Sequence, residues 1–211
     1  MHEHHDPDQP AREHWEQRYA EKDRIWSGRV NAQLAKVATE LVPGRALDLG
    51  CGEGDDAVWL AKNGWQVVAV DIASTALRRA QDAADDAGVG DRIDFAQHDL
   101  SDSFPAGTFD LVSAQFLHST VRLDRPQILQ RAKDAVKPGG TLLIVDHGEP
   151  PPWAKDHVHE HLFPSAAEVV EELELGDQWQ QQHVGPVRRD AVGPDGQQAV
   201  LIDNLMVLRR A

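Results

Sequence analysis

From Arg45 to Val145 the chain alternates between short runs that are almost wholly apolar and longer stretches whose apolar residues recur every three or four positions. A run with no polar face predicts a strand covered on both sides, and a period near 3.6 predicts a helix with one covered face. On this reading Arg45–Leu49, Gln66–Val70, Arg92–Ala96, Phe109–Ala114 and Thr141–Val145 are strands. The first leads through Gly50–Gly54 into a helix ending at Lys62, with Gly64 where a left-handed residue closes a helix. Ser74 is placed to cap a helix whose Leu77, Ala80, Ala84 and Ala87 form an apolar stripe. Asp124–Val136 reads as another helix, halted by Lys137-Pro138-Gly139-Gly140. Strands alternating with helices in this way predict a mainly parallel sheet with helices on both faces.

The flanks differ. Residues 1–10 are short, polar and interrupted by proline, the pattern of a disordered arm. Ala11–Lys22 reads as a helix with Trp15 and Tyr19 on one face, and Asn31–Leu41 as a second, ended by Pro43 and Gly44. After a helix over Ser165–Leu175, two extended runs, Gln181–Ala191 and Gln197–Arg209, flank the turn signal Gly193-Pro194-Asp195-Gly196. The expected fold is therefore α/β: a Rossmann-like, doubly wound, seven-stranded sheet, mostly parallel with an antiparallel last strand. Residues 1–43 would form an arm and a helical lid, and residues 44–211 the binding domain.

Composition narrows this picture. With 41% apolar and 27% charged residues, the 211-residue chain can build a sizeable core. No run approaches the roughly 18 apolar residues that span a bilayer, and the N-terminus lacks the apolar stretch of a signal peptide. A single cysteine, Cys51, gives no internal disulfide, so a cytoplasmic location is expected. The net charge of −14 repels phosphate backbones, and a small-molecule acceptor is expected rather than nucleic acid or a membrane. The pairs Arg188-Arg189 and Arg209-Arg210 read as solvated strand ends.

The chemistry concentrates in Asp48-Leu49-Gly50-Cys51-Gly52-Glu53-Gly54, between the first strand and its helix. Glycines there let the backbone turn sharply and approach a ligand closely. A dinucleotide fingerprint counted from Gly50 needs glycine at position 55, which is Asp55. Asp48, Glu53, Asp55 and Asp56 make the loop anionic, which suits a cationic ligand without phosphates. S-adenosylmethionine (SAM), with its sulfonium and ammonium groups, meets that description. Asp71 ends the second strand, about 20 residues beyond Gly50, where a carboxylate can accept from both ribose hydroxyls. Asp99 and Leu100 follow the third strand and are candidates to hold an adenine, the acid on its amine and the leucine over a ring face.

These segments, ALDLGCGEGDDAVWLA (46–61), VVAVDIA (67–73), AQHDL (96–100), FDLV (109–112) and VKPGGTLLIV (136–145), resemble the class I SAM-dependent methyltransferases. The resemblance points particularly to the small bacterial branch that includes tellurite-resistance and thiopurine-type enzymes. It implies strand order 3-2-1-4-5-7-6 and a SAM site at the strands' carboxyl ends. Gly50, Cys51, Gly52 and Gly54 would line the methionine and ribose portion, with Asp48 near the amino group. Asp71 would bind ribose, Ile72 flank the adenine and Asp99 contact its amine. The resemblance also implies that the N-terminal helical segment folds over SAM, with Trp15, Tyr19 and Trp26 excluding water.

Gln115 to His118 follows the fourth strand, where the family places the transferred methyl group. The sequence there is QFLH, not the N-P-P-Y or D-P-P-Y of amide and adenine-amine methyltransferases. Gln115 is accordingly counted with the cofactor residues. His118 is the candidate general base, because its ordinary pKa of about 6.5 lies near working pH; the alternative is a structural or solvent-exposed loop histidine. His147, His157, His159 and His161 lie in a Pro-rich stretch read as a substrate-side wall, and no metal site is expected. Two further readings stay open: a SAM-binding protein without catalysis, and a nicotinamide-dependent oxidoreductase, which Asp55 and the terminal hairpin disfavour.

Overall fold

The central strands are buried along nearly their whole length because neither face of the sheet meets water. The computed structural model describes residues 10–153, 164–193 and 195–211. In chain order the elements are α1 (Ala11–Ala20), α2 (Ala32–Thr39), β1 (Arg45–Leu49), α3 (Asp55–Lys62), β2 (Gln66–Asp71), α4 (Ser74–Asp86), β3 (Ile93–Gln97), β4 (Phe109–Gln115), α5 (Arg125–Asp134), β5 (Val136–His147), α6 (Ala166–Glu172), β6 (Trp179–Val192) and β7 (Gln198–Arg210). The seven strands lie in the order β3-β2-β1-β4-β5-β7-β6. β7 runs antiparallel to both neighbours, while the pairings from β3 to β5 are parallel. This is the Rossmann-like doubly wound sheet with an antiparallel last strand that the pattern predicts.

Two apolar layers hold the sheet. On one face Leu34 and Ala38 of α2, Leu60 of α3 and Ala84 of α4 pack with Trp65 against β1, β2, Leu111 of β4, Leu143 and Val145 of β5 and Leu205 and Val207 of β7. On the other, Ile128, Leu129 and Ala132 of α5, Val169 and Val170 of α6 and Leu173 just beyond it cover β4, β5 and β7. Leu100 packs in this second layer and is buried, so the side chain expected over an adenine ring is a core side chain.

Two local expectations are corrected. Ser74 does not cap α4 with its own side chain; it is the first residue of the helix. The free N–H groups there are met by Glu16 of α1, whose carboxylate accepts from Ser74 N, Ser74 Oγ and Thr75 N. The helix expected to run to Val136 and halt at Lys137-Pro138-Gly139-Gly140 instead ends at Asp134, and Val136 already begins β5, lying opposite Phe109 across a register shift. β6 and β7 are correspondingly long. β5 stops at His147 opposite Asp203, so the hairpin over residues 188–192 and 198–202 overhangs the carboxyl end of the parallel strands.

Candidate functional site

The carboxyl ends of β1, β2 and β4 carry the loops that the sequence marks for chemistry. Gly50, Gly52 and Gly54 have φ of +70°, +54° and +84°, left-handed values that a side chain rarely tolerates. Their neighbours show what each does. A Cβ on Gly54 would stand 2.7 Å from Ala80 Cβ, so this glycine lets the loop rest on α4's alanine stripe. A Cβ on Gly52 would meet Trp26 Nε1 at 2.8 Å and Tyr19 Oη at 3.1 Å, and one on Gly50 would meet Leu117 Cδ1 at 2.8 Å. The structure thus brings Tyr19, Trp26 and Leu117 directly onto the loop.

Asp71, at the end of β2, accepts from Gly52 N through Oδ2 and from Ala73 N through Oδ1, each at 2.9 Å. It ties the glycine loop to the start of α4, and each oxygen keeps a second lone pair for another donor. Burial raises its pKa, against the lowering effect of these backbone bonds. Asp99 makes a local turn, Oδ1 accepting from Ser101 N at 3.0 Å. Ile72 is half-buried between Asp71 and α4, and its carbonyl accepts from Gln97 Nε2.

The anionic cradle expected of the loop is corrected by where its carboxylates go. Glu53 accepts from the backbone N–H of Ile25 and Trp26 at 3.0 Å and pairs with Arg79 at 2.9 Å. Asp55 accepts from Gly28 N at 3.0 Å and pairs with Arg24. Asp56 receives both Asn31 N, at 2.7 Å, and Asn31 Nδ2, at 2.8 Å. Three of the four acids therefore clasp the strap between α1 and α2, whose N–H groups have no ladder to join.

Asp48 is the exception. It lies in register with Ser113 of β4, to which Gln115 Nε2 donates at 3.0 Å. Asp48 Oδ2 and Gln115 Oε1 are buried and have no hydrogen-bond partner among the described residues. Burial, and then the nearby charges of Asp56 and Asp71, push the Asp48 carboxyl well above its ordinary pKa. Such orphaned acceptors are costly unless a donor arrives. An amino-acid ammonium group offers three donors and a positive charge, so the residues present fit the methionine end of SAM. Cys51 lies in the same loop, and burial raises its thiol pKa.

The lid residues separate. Trp15 and Tyr19 face each other at 6.2 Å, as their spacing predicts, and Trp15 Nε1 donates to Ser119 Oγ at 3.1 Å. Tyr19 is buried, its Oη accepts from Trp26 Nε1 at 3.0 Å, and burial drives its pKa upward. Trp26 is 45% exposed, covering Gly52 on one side and facing water on the other.

The loop after β4 turns at Phe116, whose φ of +51° is strained for a bulky residue. That turn lays Leu117 over Gly50 and sends His118 toward β5, where Nε2 stands 3.1 Å from Asp146 Oδ1. Asp146 is buried and pairs through its other oxygen with Arg125, which also donates to the Leu117 carbonyl at 3.2 Å. Burial alone would raise the Asp146 pKa, but His118 and the Arg125 guanidinium hold it below the ordinary value. His147 stacks on Phe116 at 4.4 Å; burial, then the charges of His118 and Arg189, lowers its pKa to about 4. Asp146 and Arg125 were not identified in the sequence reading. The signal was present, since Asp146 ends an apolar strand as Asp48 and Asp71 do. His157, His159 and His161 lie outside the described residues.

Residues 46–140 match the methyltransferase domain family. The 27-O-demethylrifamycin SV methyltransferase of Amycolatopsis mediterranei (strain S699) is 33% identical over 121 residues, covering 56% of this chain and 44% of that protein. The ribosomal RNA small subunit methyltransferase C of Alcanivorax borkumensis is 32% identical over 120 residues, covering 54% and 36%. The chain thus spans less than half the length of these relatives. Among solved structures, one described as converting a disulfide bond into a thioacetal group during echinomycin biosynthesis is similar in fold. Its TM-score is 0.73 at 24% identity, over 95% of this chain and 92% of that one.

Proposed function

We propose, from the match of residues 46–140 to the methyltransferase domain family, that this chain is a class I SAM-dependent methyltransferase that transfers the methyl group of SAM to a small-molecule acceptor and leaves S-adenosylhomocysteine. The observation that carries the reading is the pair of buried, unpartnered acceptors, Asp48 Oδ2 and Gln115 Oε1, beside a left-handed glycine loop. On this reading Asp48 and Gln115 take the ammonium group, and Gly50, Cys51, Gly52 and Gly54 lie along the methionine and ribose. Asp71 binds the ribose, Ile72 flanks the adenine and Asp99, beside Leu100, contacts its amine. Trp15, Tyr19 and Trp26 close the site from the lid over residues 11–43, and residues 44–211 are the binding domain. His118 is the general base.

The branch we assign is the small bacterial one to which the motifs point. A cytoplasmic setting is consistent with the single Cys51 and with the absence, among the described residues, of any helix long and apolar enough to cross a membrane. SAM supplies a methyl already activated by its sulfonium, so the residues' work is to place an acceptor in line with it and to exclude water. Isothermal titration with S-adenosylhomocysteine, with NADH run beside it, tests the cofactor. Micromolar binding of the first and none of the second is expected, and tight NADH binding would overturn the reading. Formation of S-adenosylhomocysteine in the presence of an acceptor separates an enzyme from a SAM-binding protein without catalysis.

A further inference from the structure

We infer that His118, Asp146 and Arg125 form a proton relay that leaves His118 Nδ1 as the accepting atom, and that the acceptor is accordingly a hydroxyl group that must lose its proton. The inference rests on the methyltransferase reading above and specifies its acceptor. His118 belongs to the loop whose Leu117 covers Gly50, so its ring stands next to the loop proposed to hold SAM. Its Nε2 faces Asp146 Oδ1 at 3.1 Å, close enough to pair though off the line of an ideal hydrogen bond. Such bonds commonly tighten when substrate binds. Asp146 cannot turn away, because its second oxygen is held by Arg125, itself anchored on the Leu117 carbonyl.

A carboxylate accepts only, so the proton of a neutral His118 sits on Nε2. Nδ1 then carries the lone pair, and no protein group meets it among the described residues. The other titratable or charged groups around the ring are His147 of β5, 6.4 Å away, Arg189 of β6, Asp203 of β7, and His14 of α1, which reaches the adjacent Thr120. None of them is placed to hold Nε2 as Asp146 does.

The step balances as follows. An acceptor oxygen attacks the methyl carbon while its proton passes to Nδ1. The carbon–sulfur bond breaks with its electron pair going to sulfur, which becomes the neutral thioether of S-adenosylhomocysteine. The imidazolium formed is offset by Asp146 and returns its proton to water. A thiolate, thiocyanate or halide has no proton to give and would leave this relay without use.

The test is Asp146→Asn. Arg125 carries only donors, so it claims the new amide's oxygen and turns the amide N–H toward His118 Nε2. The proton must then move to Nδ1, which removes the base without removing the ring, as a similar change does in the serine protease triad. Imidazole nitrogen NMR of neutral His118 is expected to report the proton on Nε2 in the wild type and on Nδ1 in Asp146→Asn; the same tautomer in both would overturn the relay. With catechol as the hydroxyl probe, Asp146→Asn is expected to lose at least a hundredfold in kcat with KM changed less than threefold. Faster methyl transfer by the wild type to thiocyanate than to catechol would overturn the hydroxyl assignment. S-adenosylhomocysteine affinity should be equal in both proteins; failure of the wild type to bind it would count against the cofactor reading, whatever the tautomer.

Discussion

At the scale of single residues, the proposed site contains groups that cost the fold stability when no ligand is bound. Asp48 is the clearest. Its folded pKa lies above the ordinary aspartate value, so the native state binds a proton more tightly than the unfolded chain does. Rising pH through that interval therefore removes stability, and above the folded pKa the full cost of a buried charge is carried. Asp48→Asn removes the charge. Its melting temperature at neutral pH is expected to rise by a few degrees, about 1 kcal/mol for a chain of this size, and to vary less with pH than the wild type's. Its S-adenosylhomocysteine affinity is expected to fall about tenfold, roughly 1.4 kcal/mol. A variant that melts earlier and binds normally would remove Asp48 from the site. The glycines divide in the same way. Gly54→Ala drives a methyl into Ala80 at a left-handed backbone position, so a loss of about 2–4 kcal/mol is expected in chemical denaturation. Gly52→Ala, also at a left-handed position, meets the edge of a half-exposed Trp26 at 2.8 Å and the hydroxyl of buried Tyr19 at 3.1 Å, and is expected to weaken ligand binding as well as the fold. Their spacing identified the loop from sequence alone. Which glycine serves the helix and which the ligand depends on Ala80 and Trp26, distant in sequence.

At the scale of elements, what was legible followed from local pattern and what was missed depended on distant partners. The apolar runs of β1 and β5 and the alternation of β6 announce themselves because burial on two faces or one leaves a direct imprint on sequence. The cap of α4 does not, because Glu16 supplies it from 58 residues away. The acids of the glycine loop were legible as charges but not as clasps, since their partners are backbone N–H groups of residues 25–31, which any sequence provides. Hydrogen bonds from Ser74 and Thr75 hold the Glu16 pKa below its ordinary value despite its partial burial. This support is present above the ordinary glutamate pKa and fades as pH falls through the lowered one. Glu16→Ala is expected to cost about 0.5–2 kcal/mol, the range for a lost helix cap, with the difference from wild type shrinking in melts below pH 4. An undiminished difference in acid would show that packing of α1, and not the carboxylate, joins the two helices.

At the scale of the whole molecule, the parallel sheet follows from the alternation and its antiparallel end from the terminal turn signal, the strand order was what the family resemblance implied, and the net charge of −14 bears on what the fold can receive. One relative of the domain is named for ribosomal RNA, so fold alone does not choose the acceptor. Charge does. A protein that binds RNA through its backbone releases counterions, and its affinity falls steeply as salt rises. Here the loop acids that would repel RNA locally are partly neutralised by Arg24 and Arg79, yet Asp82, Asp85, Asp86 and Asp91 remain along α4 and the turn beyond it. Cationic groups near the proposed acceptor face are already committed: Arg125 to Asp146 and Arg189 to Asp203. A labelled single-stranded RNA of about 20 nucleotides is therefore expected to show no change in fluorescence anisotropy on titration at 150 mM salt. Lowering salt to 20 mM lengthens the Debye screening distance from about 8 Å to about 20 Å, which should strengthen the repulsion instead of rescuing binding. Binding that appears at low salt and vanishes at high salt would show a basic groove that the net charge conceals, and would move the acceptor from small molecules to nucleic acid.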